Sequence, residues 1–152
     1  MIGKAVYSLL NVSAVTNLAN DISPNQASRN AVMPYIVFNE QGTPENYKDD
    51  YDIVYYNLQI DVYAEQTNAG GGGKAACIAI SDEIQTILHR YKGTVENVVI
   101  ENCVLQDKES LYDPVSEAER IMLTYRVRVK ESAPAPNEGI GFMVIGSTFI
   151  VA

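Results

Sequence analysis

The sequence has 152 residues, of which 47% are hydrophobic and 20% are charged, with a formal net charge of −8 and a pI near 4.5. This length predicts a single ordinary core, and the composition excludes an intrinsically disordered chain. The acidic balance argues against a broad basic footprint for nucleic acid.

The first half of the chain predicts a helix followed by a β-hairpin. Apolar residues recur at helical spacing over residues 2–10, and residues 20–32 are rich in Asn, Ser and Pro, which is typical of a loop. Two strands are expected at 33–40 and 53–65, joined by the polar segment 41–52. The second strand alternates strictly, so one of its faces belongs to the core and the other is wet or forms an interface.

The segment GGGGK, residues 70–74, raises the question of a phosphate-binding loop. A Walker motif requires G-x-x-x-x-G-K-[ST], because its glycines let backbone N–H groups surround phosphates and its hydroxyl binds magnesium. Here Asn68 stands at the first glycine position and Ala75 at the hydroxyl position. The glycines therefore predict a connection into a helix, which the apolar stripe places at about residues 74–92, with Gly93 closing its end.

Two further strands are expected at residues 94–109 and 117–131, with a loop between them. One row of the last strand is apolar, and the alternate row is polar and contains most of the positive charge that the chain concentrates in one place. In an acidic protein, such a row favours a solvated face or a salt-bridging subunit contact over a nucleic-acid site. We therefore predict Arg126 and Arg128 at a subunit interface.

The chain ends in a Pro-Ala linker, residues 132–138, and a charge-free apolar segment, residues 139–152. The linker should be extended and semi-rigid, and the last segment suits two short strands around a tight turn. Exposed apolar strands are an aggregation hazard, so we expect this segment to be covered by its own domain or by another subunit. The predicted subunit-interface residues in it are Phe142, Ile145 and Phe149.

Together these elements predict an α+β domain over residues 1–131, followed by a C-terminal β appendage over residues 132–152. The domain should have two layers, with a mixed or antiparallel four-stranded sheet, two main helices on one face, and the element order α-β-β-α-β-β. No apolar run reaches the roughly 20 residues of a membrane-spanning helix, and the N-terminus lacks the pattern of a secretion signal. We therefore expect folding in the cytoplasm of the cell that makes the protein, and no membrane partner.

No catalytic, cofactor-binding or metal-binding constellation is visible in the sequence. The thiols Cys77 and Cys103 and the imidazole of His89 do not have the spacing of a metal site. The acidic residues of the polar segment are expected to be solvated charge. These residues are Glu45, Asp49, Asp50 and Asp52. The sequence thus predicts a protein that is not an enzyme and holds no cofactor.

The succession of motifs resembles the tail-completion or tail-terminator family of long-tailed bacteriophages. In order, the motifs are VYSLL, NDISP, MPYIVF, LQIDVYAE, a helix, CVLQDKESLYD and ERIMLTYRVRV. The likeness covers roughly residues 2 to 130 and is clearest in PYIVF, IDVYAE and LTYRVRV. The four glycines before the long helix and the segment after residue 132 depart from the family pattern.

The resemblance implies a structural virion protein at the head–tail junction, made in the host cytoplasm. It would form a ring, commonly a hexamer, that caps the tail tube and offers a surface to the head–tail connector. DNA would pass through the ring without specific binding, which an acidic or neutral lumen favours because lysine-rich walls would hold the phosphates. The acidic segment with Glu45, Asp49, Asp50 and Asp52 is then expected at the rim or lumen of the ring.

Two alternatives remain open at this stage. Within the same setting, the chain fits a head-side neck protein or a tail tube subunit. From another class, it fits a small ligand-binding or enzyme domain with a cavity between the sheet and the helices, which would need convergent polar groups in that cavity. Light scattering separates these classes, because a ring is much larger than a monomer.

Overall fold

The computed structural model describes residues 2–45, 53–65, 72–115 and 117–130. Three helices and six strands follow one another along these residues. They are α1 (Gly3–Leu10), α2 (Ser13–Thr16), β1 (Asp21–Pro24), β2 (Tyr35–Glu45), β3 (Ile53–Glu65), α3 (Gly72–Leu88), β4 (Gly93–Val95), β5 (Val98–Asp113) and β6 (Ala118–Lys130).

The strands form one mixed sheet in the order β1-β2-β3-β6-β5-β4. β1 and β2 run parallel, and every other pair of neighbours runs antiparallel. The α+β class and the mixed sheet are therefore confirmed. The predictions of four strands and of the order α-β-β-α-β-β are wrong, because the described order is α-α-β-β-β-α-β-β-β. The four long strands, β2, β3, β6 and β5, form the middle of the sheet, and the short strands β1 and β4 lie at its two edges.

The two short edge strands were missed because neighbours in space produce them. β1 occupies part of the segment predicted as a loop, and it is held by parallel pairing of residues 21–24 with residues 35–38 of β2. β4 and β5 were predicted as one strand from residue 94 onward. Glu96 and Asn97 both adopt positive φ, 50° and 63°, which makes a tight hairpin turn. Glutamate rarely adopts a positive φ, so the sequence did not predict a turn at this position.

Three predicted boundaries also shift. β2 continues to Glu45, so the first residues of the predicted polar segment 41–52 belong to the sheet, where they pair with β3. α3 ends at Leu88 rather than near residue 92. Arg90 has a φ of 63°, and its backbone N–H donates to the carbonyl of Cys103 at 2.6 Å, so this arginine takes the left-handed position predicted for Gly93. β5 continues through most of the predicted loop before residue 117, because it remains paired with β6 as far as Asp113 opposite Ala118.

The core lies between the sheet and the helices, as the two periodicities predicted. The apolar rows of β3 and β6 are buried. α3 contributes the buried side chains of Cys77, Ile80, Ile84 and Leu88, whose spacing of three or four residues puts them on one face of the helix. α3 contacts both β3 and β6 through this face. The position of the core was therefore readable from the sequence.

The two cysteines are free thiols in this core. Burial raises the pKa of Cys77 to about 11 and that of Cys103 to about 12, from an ordinary value of 9.0. The folded state therefore favours the neutral thiols, and the stability that they contribute is full below pH 9 and is lost as the pH rises towards 11 to 12.

We expect both thiols to resist iodoacetamide at pH 8 in the folded protein and to react fully in guanidinium chloride. The thiolate is the reactive species, and both sulfur atoms are shielded from solvent. Mass spectrometry after timed labelling measures this protection. Fast labelling of either cysteine in the folded protein would contradict it.

Candidate assembly surface

The two faces of the sheet differ in what covers them. α3 packs on one face, and the alternate side chains of the long strands point to the other, which none of the described helices covers. We call this second surface the open face. Its residues, placed by strand register and alternation, are Tyr35, Val37, Asn39, Gln41, Ile53, Tyr55, Asn57, Gln59, Asp61, Tyr63, Val99, Asn102, Val104, Asp107, Glu109, Leu111, Arg120, Met122, Thr124, Arg126, Arg128 and Lys130.

One end of the open face is built around a nearly buried carboxylate. Asp61 is 5% exposed, and its Oδ1 accepts hydrogen bonds from Nε and Nη2 of Arg120 at 3.3 and 3.1 Å. Its Oδ2 accepts a third hydrogen bond from Gln59 at 3.0 Å. The Arg120 guanidinium also lies 5.5 Å from the ring centre of Tyr63, whose ring is 5.3 Å from that of Tyr35. Partial burial raises the pKa of Tyr63. This end is a satisfied, ordered polar cluster.

The other end of the open face brings together the two predicted interface arginines. The Arg126 guanidinium lies 4.2 Å from the ring centre of Tyr55, and that of Arg128 lies 6.0 Å from it on the same ring. Arg128 also forms an ion pair with Glu101 at 3.0 Å. Arginine and tyrosine are enriched at protein interfaces, because each combines a broad stacking surface with hydrogen-bonding groups.

A basic cleft adjoins this end of the open face. It forms where the chain leaving α3 meets β5 and β6. Arg90, Lys92 and Arg128 supply positive charge to it, and Glu101 supplies a negative one. Asn102 and Ile100 complete its lining. In a chain of net charge −8, this cleft is suited to an acidic partner.

The structure describes only part of the predicted acidic segment. Glu45 is the last residue of β2, and Asp49, Asp50 and Asp52 lie outside the described residues. Ile53, which follows them in the chain, pairs with Lys130 of β6. The acidic segment is thus attached at the end of the sheet that carries Arg128. Phe142, Ile145 and Phe149 also lie outside the described residues, so the predicted apolar contact remains a prediction.

The remaining features bear on the ligand-binding and enzyme alternatives. An apolar hollow of about 370 Å³ lies between α1, β1 and β2, and Glu40 in its wall accepts a hydrogen bond from the backbone N–H of Ile2 at 3.1 Å. Lys74, from the glycine-rich stretch, is exposed in the first turn of α3.

Within the described ranges, no group of three or more potential metal ligands occurs. None of the helices in those ranges is long and apolar enough to cross a membrane.

Reasoning from the sequence placed Arg126 and Arg128 on one polar row, as the register does, but did not anticipate the Asp61–Arg120 pair or the role of Glu101. Asp61 and Arg120 are 59 positions apart, and only the register of β3 against β6 brings them together. A partial signal existed, because both residues belong to the polar rows of alternating strands. Nothing in either strand alone indicates which carboxylate meets which arginine.

Comparisons with known proteins agree with this architecture. A family model described as "Tail completion protein gp17" matches residues 4–130. A solved chain from the "Virion of native gene transfer agent (GTA) particle" is similar in fold, with a TM-score of 0.68 and 15% sequence identity over 83% of this chain and 92% of that chain. At this identity, the likeness shows a shared fold. No curated protein is similar enough in sequence to match the chain.

Proposed function

Because this chain belongs to the tail completion protein gp17 family and is therefore a structural protein of the bacteriophage virion tail, we propose that it closes the end of the tail tube as a hexameric ring. The ring would lie at the head–tail junction and bind the head–tail connector on its other side. DNA would pass through without specific binding. The family match carries the proposal, since residues 4–130 include almost every described element.

The open face supports an assembly role. A ring of identical subunits needs two different patches on each subunit that fit each other around the circle. The end of the open face with Tyr55, Arg126 and Arg128, together with the basic cleft, is one such patch. We place the acidic segment with Glu45, Asp49, Asp50 and Asp52 at the rim or lumen of the ring, where its negative charge would let DNA pass without being held. This arrangement assigns Arg126 and Arg128 to the subunit interface.

The C-terminal segment has a separate place in the proposal. Residues 139–152 carry no charge and follow a Pro-Ala linker. We place Phe142, Ile145 and Phe149 against a neighbouring subunit or the tail tube protein, because an uncovered apolar strand pair would aggregate. Burial of each side chain would contribute roughly 1.5–3 kcal/mol before the cost of ordering the segment.

Deleting the gene from the phage should produce filled heads and unattached tails instead of joined particles. Electron micrographs of lysates measure the fraction of joined particles, and supplying the full-length protein from a plasmid should restore it. Gold labelling of a tagged copy should appear at the head-proximal end of the tail. Joined, infectious particles in the absence of the protein would overturn the proposal, and label along the whole tube would favour a tail tube subunit instead.

A further inference from the structure

β2 and β5 are the outermost long strands of the sheet, and only part of the outer edge of each is paired with a short strand. We call the unpaired parts the half-edges. β1 pairs with residues 35–38 of β2, so the outer edge of residues 39–45 has no strand partner in the described part of the chain. β4 pairs with residues 98–100 of β5, and the backbone of Arg90 bonds to Cys103. The outer edge of residues 106–112 of β5 likewise pairs with no other strand among the described residues.

The two uncovered half-edges lie at opposite ends of the sheet. Following the register across the sheet, Glu109 of β5 is level with Met122, Asp61 and Val37. The uncovered part of β2 starts beyond that level and runs towards the other end. Each subunit therefore has one half-edge at one corner of the sheet and the other half-edge at the diagonally opposite corner.

We propose that β2 of one subunit pairs with β5 of the next through these half-edges, so that the sheet continues from subunit to subunit around the ring. The inference rests on the proposed ring and names the edges that close it. β2 and β5 run in opposite directions within the sheet. Subunits of equal orientation therefore meet in an antiparallel pair, which is the favourable geometry for strand addition.

The register of this contact follows from two constraints. Successive side chains alternate between faces, so a shift by an odd number of residues would turn the open face of one subunit towards the helix side of the next. Placing residues 39–45 opposite residues 107–113 keeps the faces continuous, and Pro44, which has no N–H, can only accept a backbone hydrogen bond in this contact. This register also avoids β1 of the next subunit and Arg90 of the same subunit. Gln41 then lies opposite Leu111, and both belong to the open face by their pairing with Asn57 and Arg120.

The resulting stagger is compatible with a closed barrel of strands. Thr43 would lie opposite Glu109, whereas Val37 is level with Glu109 within one subunit. From one subunit to the next, the strands are thus shifted along their length by about six residues, or roughly 20 Å. The four long strands of a subunit span roughly 19 Å across the sheet. The ratio corresponds to a strand tilt of about 45°, close to the tilt of roughly 35–45° in closed barrels.

Exposed apolar side chains of β5 suit this contact, and one pair of acidic residues opposes it. Residues 106–112 of β5 are all exposed, and Leu111 and Tyr112 retain 38% and 45% exposure. Pairing with β2 of the next subunit would reduce the exposure of both Leu111 and Tyr112. Glu45 would meet Asp107, an unfavourable pair.

A cysteine pair across the contact tests the proposal in assembled tails. Gln41→Cys combined with Leu111→Cys should give a ladder of covalent oligomers on a non-reducing gel after mild oxidation. Each single variant should give monomers. The matched control is Gln41→Cys combined with Thr94→Cys, since Thr94 is exposed on β4 at the other end of the same edge. Cys77 and Cys103 are buried and do not compete.

The outcomes separate this inference from the proposed function. A ladder from the first pair and monomers from the control support the half-edge contact. If rings are visible at the tail ends but the first pair gives only monomers, or the control gives an equal ladder, the contact is overturned while the ring stands. If the protein is absent from the tail end altogether, the proposed function fails first.

Discussion

Replacing Ile84 by alanine should lower the free energy of unfolding by about 2–5 kcal/mol. Ile84 is fully buried on α3, on the side that packs against β3 and β6. The shortened side chain loses its transfer free energy from water and leaves a cavity that a close-packed core fills only partly. Urea denaturation followed by circular dichroism at neutral pH measures the loss.

Ile78→Ala is the matched control for this prediction. Ile78 lies on the same helix but is 41% exposed, so its removal should change stability by no more than about 0.5 kcal/mol. Alanine also has the higher helix propensity, which offsets part of any lost contact. Equal losses from the two variants would mean that α3 does not dock through the face containing Ile84.

Replacing Arg120 by methionine should lower the free energy of unfolding by about 1–3 kcal/mol, because it leaves the nearly buried Asp61 carboxylate without its charged partner. Of the contacts described above, the hydrogen bond from Gln59 would remain. The Arg120 side chain is 28% exposed, so water can reach part of the site, and the cost stays below that of a fully buried pair. Denaturation at pH 7 is the appropriate measurement.

The control is a double-mutant cycle with Asp61→Asn. The double variant Asp61→Asn with Arg120→Met should be more stable than Arg120→Met alone, because the orphaned negative charge is gone. Strict additivity of the two single losses would show that Asp61 and Arg120 do not act as a pair in solution. Asp61 and Arg120 lie on β3 and β6 rather than on the half-edge strands β2 and β5, so the proposed strand contact should persist wherever the variants remain folded.

The open face, the basic cleft and the half-edges are different parts of one sheet, and we propose a different role for each. The helices use one face to make the core, and this leaves the opposite face and both edges for contacts with other chains. Such a division suits a subunit of an assembly, since an exposed strand edge in an isolated monomer invites uncontrolled association. In the proposed ring, each edge would be covered by the next subunit.

The sequence by itself determined the elements whose pattern is local. Alternation in β3 and β6 and the apolar stripe of α3 located the core, because side-chain direction follows from a period of two or 3.6 residues without reference to other elements. The same alternation placed Arg126 and Arg128 on one polar row, so part of the candidate surface was also predictable. The motif order pointed to the family that the match over residues 4–130 confirms.

Only the tertiary structure decided the features that depend on which strands are neighbours. Parallel pairing makes β1 a strand, two positive φ angles separate β4 from β5, and contact with Cys103 turns the chain at Arg90. The union of Asp61 with Arg120 and the two uncovered half-edges depend on the same register. Strand pairing joins residues far apart in the chain through backbone groups that every residue carries. The side-chain sequence therefore contains little information about it until the strands are placed side by side.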